Sequence, residues 1–212
     1  MFTDRQDAGQ QLAQKLQTFA SQDVVAIGLA RGGVAVAAVV AQQLRAPLGV
    51  ILVRKIGHPS SPEYAIGALA EDEQPVYNTA ELGTVDEQCL AQAEAKARRQ
   101  IMLQRKEYYG TDLYPPIIAH KTVLLIDDGA ATGLSMAAAI KAVRSKHVKR
   151  LVVALPVASA QAVAMLEGLA DAVVTLENPA FFLGAVAAQY RTFHQVTNRA
   201  VHALLQEAHH EI

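Results

Sequence analysis

VLLIDDGAATGLSM, Val123 to Met136, is the stretch on which the reading of this chain turns. The apolar run Val123 to Ile126 predicts a buried strand, and Asp127 and Asp128 stand together at its C-terminal end. A short loop with Gly129 and Gly133 then enters an Ala-rich helix. A glycine-relaxed turn lets successive N–H groups converge, and the helix start adds unpaired donors and a positive dipole end. Thr132 and Ser135 add hydroxyls to the same anion site. Adjacent carboxylates are costly unless sugar hydroxyls or a divalent ion engage them.

A second strand–loop–helix unit lies upstream. Val24 to Leu29 reads as a strand, followed by Ala30-Arg31-Gly32-Gly33 and an apolar helix to Leu44. Arg31 is the only charge between Val24 and Val40, and its planar donors suit a diphosphate. Pro47 opens a third strand, Leu48 to Val53, which ends in Arg54-Lys55, two cations placed beside the same polyanion. Later runs, Leu151 to Leu155 and Ala172 to Leu176, alternate with helices. They predict a mostly parallel sheet covered on both faces, with its ligand loops at the carboxyl ends of the strands.

Residues 57–83 break this rhythm. HPSSPEY and AEDEQPVY are rich in prolines, serines and acids, so no core strand is expected there, and the insert reads as a hood over the site. Thr84 and Glu87 have capping-box spacing at the start of a long helix, 85–108, with Cys89, Ala93 and Ala97 as its inward face. Its basic run, Lys96 to Lys106, reads as a solvated face or dimer surface. Asp112 to Pro116 reads as a turn. Thr3 and Gln6 have capping-box spacing for an N-terminal helix whose stripe is Ala8, Leu12, Leu16 and Phe19.

Composition narrows the class. The 212 residues suit one domain, 51% are hydrophobic, and the formal charge of −1 gives no electrostatic case for nucleic acid. One cysteine excludes an intrachain disulfide, and no stretch has signal-peptide or membrane-spanning character. The expectation is a cytoplasmic protein acting on small molecules, with an Ala-rich surface helix able to support a homodimer. His209 and His210 form no convincing metal set. A dinucleotide-binding oxidoreductase is disfavoured, because the first loop lacks the full G-x-G-x-x-G order.

The central stretch resembles the phosphoribosyl diphosphate (PRPP) signature of type I phosphoribosyltransferases: a hydrophobic strand, two acids, three variable residues, then Thr132-Gly133-Leu134-Ser135. The nearest likeness is to bacterial members whose acceptor is undefined. The resemblance implies that Gly129, Ala130, Ala131, Thr132, Gly133 and Ser135 wrap the 5′-phosphate. It implies that Asp127 and Asp128 hold the ribose hydroxyls directly or through Mg2+, and that Arg31, Gly32, Gly33 and Lys55 meet the diphosphate. A cis peptide near Ala30-Arg31 is a further family implication. Phe181 and Phe182, before Gly184, correspond loosely to the family's base-stacking aromatic. Hypoxanthine/guanine members have Asp where Ala131 stands, which counts against a 6-oxopurine acceptor. The implied activity is magnesium-dependent transfer from PRPP to a nitrogen acceptor such as a nucleobase. The alternative is a regulatory protein that binds PRPP without transfer.

Overall fold

The computed structural model describes residues 1–210 except 21, 59, 72, 84, 111–114 and 178–180. The expected Thr84 cap, and the 112–116 turn in part, lie outside the described residues.

Five parallel strands form the centre: β1 (Val24–Leu29), β2 (Leu48–Ile51), β6 (Thr122–Ile126), β7 (Arg150–Leu155) and β8 (Ala172–Thr175), in the order β2-β1-β6-β7-β8. Their near-continuous apolar sequences follow from burial on both faces. Val24 and Ala26 of β1, Leu124 and Ile126 of β6, and Val152 and Ala154 of β7 enter one core. That core is closed by α1 (Arg5–Lys15), α2 (Gly32–Leu44), α4 (Glu87–Tyr109) and α7 (Asn198–His210). The alternate residues, among them Val25, Ile27, Val123, Leu125 and Val153, enter the other core beneath α5 (Leu134–Arg144) and α6 (Ala160–Glu167). The expected fold class, a mostly parallel sheet with helices on both faces, is thus present. Among the described residues no helix is long and apolar enough to cross a membrane.

The insert departs from its sequence reading. Strands β3 (Val53–His58), β4 (Ser61–Ala70) and β5 (Val76–Tyr77) form a separate antiparallel sheet, and the short helix α3 (Thr79–Leu82) follows. Ile66, Ala68, Leu69 and Ala70 of β4 are buried, so the segment does contain a core strand. The prolines and acids of its flanks obscured the apolar stretch Ala65 to Ala70 between them. The third strand of the reading is also divided. Leu52 N donates to Glu71 Oε1 at 3.0 Å where the chain leaves the parallel sheet, and Arg54 and Lys55 then pair with Leu69 and Ala68 in β3–β4. The two cations therefore begin a strand of the second sheet instead of ending one of the first.

Local details of the helices differ too. Asp4, not Thr3, caps α1 through Asp7 N, and Asp86 caps α4 by accepting from Cys89 N. Cys89 is exposed, and the buried face of α4 is Ala97, Ile101, Gln104, Tyr108 and Tyr109. Part of its basic run is a strut and not a solvated face: Arg98 donates to Glu73 O at 3.0 Å and Arg105 pairs with Glu71. Tyr77 donates to Glu94 on the same seam.

Candidate functional site

Two loops at the carboxyl edge of the parallel sheet touch each other. The chain leaves β1 through Ala30 and Arg31, joined by a cis peptide bond, and begins α2 at Gly32. A Cβ on Gly32 would overlap Asp128 Oδ2 and lie 2.7 Å from Asp128 Cγ. One on Gly33 would lie 2.6 Å from Ile126 O and 2.8 Å from Asp127 Oδ1. The glycine pair is what lets the Arg31 loop seat directly on the acid pair, since any side chain there would separate them.

The acids are held under electrostatic stress. Burial, and then the charge of Asp128, push the Asp127 carboxyl well above the usual range; Lys55 is close enough to oppose this. Burial also raises Asp128, against the pull of Arg5. Asp128 N donates to Asp127 Oδ1 at 2.9 Å, which fixes one carboxylate over the other's backbone.

The following loop is pinned from below and open above. Ala130 N donates to Val157 O at 3.0 Å, and Ser159 N and Oγ donate to Ala130 O and Ala131 O at 2.9 and 2.6 Å. Ala130 is buried by these contacts. Gly133, at φ +79°, turns the chain into α5. Among the described residues, the N–H groups of Gly129, Ala131, Thr132 and Gly133 make no hydrogen bond, nor do the hydroxyls of Thr132 and Ser135. Unspent donors around a helix start form an anion nest.

Two cations stand near. Arg31 lies close enough to Tyr108, and Lys55 to Asp127, to act on their protonation. Among the described residues, neither Arg31 nor Lys55 is in an ion pair. Arg54 turns away, donating to Gln104 Oε1, and its buried Nε has no hydrogen-bond partner among the described residues. The tail splits the two aromatics: Phe181 is 73% exposed, whereas Phe182 packs against the cluster of Phe2, Ala8, Val157 and Tyr190. Glu71 is engaged by Leu52 N and Arg105, so it joins the two sheets.

Three residues of the acid pair's surroundings escaped the sequence reading. Arg5 donates through Nε and pairs through its NH2 group with Asp128 Oδ2, both at 2.8 Å. Tyr190 OH donates to Asp128 O at 2.6 Å, and Phe193 stacks under the Arg5 guanidinium, 3.8 Å from ring centroid to Cζ. One signal was available: a cation in the first turn of a helix opposes the dipole, so Arg5 needed an anion elsewhere.

No group of three or more His, Cys, Asp or Glu that could hold a metal occurs among the described residues. The two acids do fit Mg2+, a hard cation that takes one or two carboxylates and completes its shell with water and substrate phosphates. The Asp127 carboxyl, buried beside a like charge, is the feature that such a cation would relieve.

The model of the phosphoribosyl transferase domain matches residues 5–191. Two candidate phosphoribosyl transferases of Mycobacterium tuberculosis, from strains CDC 1551 and H37Rv, are 40% identical over 214 aligned positions covering the whole chain. The chain spans 48% of the length of these curated relatives. The crystal structure of TT1426 from Thermus thermophilus is 40% identical with a TM-score of 0.80, covering 97% of this chain and 98% of that one. With the acid pair, the Thr-Gly turn and the Arg-Gly-Gly loop assembled at one edge of the expected sheet, the chain belongs to the type I phosphoribosyltransferase family.

Proposed function

We propose that this chain is a magnesium-dependent phosphoribosyltransferase that displaces pyrophosphate from PRPP with a nitrogen acceptor such as a nucleobase. One observation carries this reading: Gly32 and Gly33 seat the Arg31 loop on Asp127 and Asp128. A sugar held by the acids would thereby have its C1 substituent beside Arg31. The open donors of Gly129, Ala131, Thr132, Gly133 and Ser135 take the 5′-phosphate. Asp127 and Asp128 orient the ribose hydroxyls and would hold Mg2+, which supplies charge neutralisation to the diphosphate.

The acceptor nitrogen attacks C1 as the C1–O bond breaks, and pyrophosphate leaves with the bonding electron pair. The acceptor's proton passes to solvent or to the departing oxygen. Arg31 and Lys55, which are in no ion pair among the described residues, stabilise the charge that grows on the leaving group. The β3–β5 sheet acts as the hood, limiting water at the reactive carbon. Phe181, exposed on the tail, is the side chain available to stack on a planar acceptor; Phe182 is committed to packing.

Calorimetric titration with PRPP in the presence and absence of Mg2+ tests the binding half. Saturable, magnesium-dependent binding that weakens roughly 10–100-fold in Arg31→Ala supports the reading. Unchanged affinity in that variant sinks it. Pyrophosphate release across a panel of nucleobases then separates transferase from PRPP-binding regulator.

A further inference from the structure

Arg5 reaches the acid pair from outside both ligand loops. It begins α1, on the far side of Gly32, and its Nε would lie 3.1 Å from a Cβ on that residue. Both of its contacts with Asp128 fall on one oxygen, Oδ2, the same atom that Gly32 leaves room for. Arg5 makes no contact with Oδ1 of Asp128; besides Arg5, the neighbours acting on this carboxyl are the Asp127 side chain and the backbone of Asp128 itself. The guanidinium is itself fixed three ways: by Asp128, by donation from its NH1 group to His194 O at 2.7 Å, and by the Phe193 ring. Its side chain is 13% exposed and that of Asp128 is 14% exposed, so solvent screens the pair little.

The backbone of Asp128 is anchored by the same assembly. Phe2 N donates to Gln189 O, and Arg191 N and Thr192 N donate to Phe2 O and Thr3 O at 2.8 to 2.9 Å. This clasp between the chain's first residues and its tail carries Tyr190, whose hydroxyl holds Asp128 O. Side chain and main chain of one acid are thus gripped by two elements that contribute nothing to the phosphate nest. Among the described residues no cation bonds the Asp127 side chain: it accepts from Asp128 N, and Arg5 and Lys55 act on it only through their charge.

We propose that Arg5 is a positioning residue for the phosphoribosyl site, gripping Asp128 by Oδ2 so that Oδ1 is presented to the ribose and its cation. The two acids then have unequal tasks: Asp128 is a preset anchor, and Asp127 is the carboxylate left for the incoming ligand. The inference rests on the PRPP reading above, and it adds a residue that touches neither substrate nor metal. A guanidinium suits this task because its planar donors hold Asp128 Oδ2 and His194 O together while its face lies on the Phe193 ring, which the point charge of an ammonium does not do.

The test is calorimetric titration of the full chain with Mg–PRPP and, separately, with inorganic pyrophosphate, alongside thermal unfolding. The variants are Arg5→Ala and Arg5→Lys. Arg5→Ala is expected to weaken Mg–PRPP binding roughly 10–100-fold, the range seen for groups that orient ligating carboxylates. Pyrophosphate engages Arg31 and Lys55 without a ribose, so its affinity is expected to stay within about 2-fold of the parent. Arg5→Lys, which keeps the charge but not the planar donor set, is expected to recover only part of the PRPP affinity, and it decides the matter if Arg5→Ala does not fold. Equal PRPP affinity in parent and variants overturns the proposal. So does a parallel loss of both ligands, which marks a merely structural residue. If the parent itself takes up no PRPP, the functional reading fails, an outcome distinct from a parent that binds and variants that do not respond.

Discussion

The two edges of the parallel sheet handle charge in opposite ways. At the amino edge every charge named here has an answer. Lys121 lies 3.2 Å from Asp23, Arg144 lies 2.9 Å from Asp171, and Asp171 also accepts from Leu151 N. The hydrogen bond from Arg144 holds the Asp171 carboxyl below the usual range. At the carboxyl edge two acids are packed side by side and pushed upward, while Arg31 and Lys55 go without ion pairs among the described residues. One edge pairs its charges; the other leaves two buried acids beside each other. Strain of this kind persists where the surrounding fold over-determines it, and the sheet's buried strands do so.

The largest test of that contrast is Asp127→Asn. Asn keeps the oxygen that accepts from Asp128 N, and it removes the charge that burial and Asp128 disfavour. Mg–PRPP affinity should fall by about 100-fold by calorimetry. Thermal stability of the ligand-free chain should move the other way, up by roughly 2–4 °C. The sign follows from linkage. An acid whose folded pKa is raised binds more protons when folded, so its contribution to stability falls as pH climbs from the ordinary carboxylate range toward the raised value. Asp171, lowered, contributes stability above its ordinary range and loses it as pH falls. Stability of the parent minus that of Asp127→Asn should therefore decline with rising pH. A flat difference would show that the acid edge carries no strain.

Gly32→Ala is expected to act more moderately and on both properties together. The added methyl meets Asp128 Oδ2 and Cγ and approaches Arg5 Nε, so either the loop or the Arg5–Asp128 pair must shift. Overpacking of this kind costs about 1–3 kcal/mol. Urea unfolding should register that loss, and PRPP affinity should drop with it. Undiminished affinity would show that contact between the two loops is not what shapes the carboxyl edge.

This edge was the more legible of the two in the sequence, because its chemistry is compressed into short stretches. Strand, acids and Thr-Gly turn occupy Val123 to Ser135, and Arg31 with two glycines follows β1 at once. What escaped notice acts across long separations. Arg5 meets Asp128 from 123 residues away, and Tyr190 meets it from 62. No local periodicity encodes such pairs; they exist only once α1 and the tail are docked. The insert misled for the converse reason. Its local composition is polar, yet β4 is buried because α5 packs on it, and a strand's burial depends on what covers it.

The smallest expected effect belongs to the amino edge, in Arg144→Ala. The Arg144 and Asp171 side chains are 37% and 39% exposed, so water and salt screen their attraction. Loss of the arginine should cost no more than about 1 kcal/mol in urea unfolding, less at high salt, because Asp171 keeps its bond from Leu151 N and remains solvated. PRPP affinity should be unchanged, since no residue of the acid pair or the phosphate loop touches this edge. A large loss of affinity in Arg144→Ala would mean that the two edges are coupled through the strands, and that the acid pair's stress is not a local property. A small loss of stability with intact binding keeps the division: exposed pairs that trim the fold at one end, buried like charges that wait for a ligand at the other.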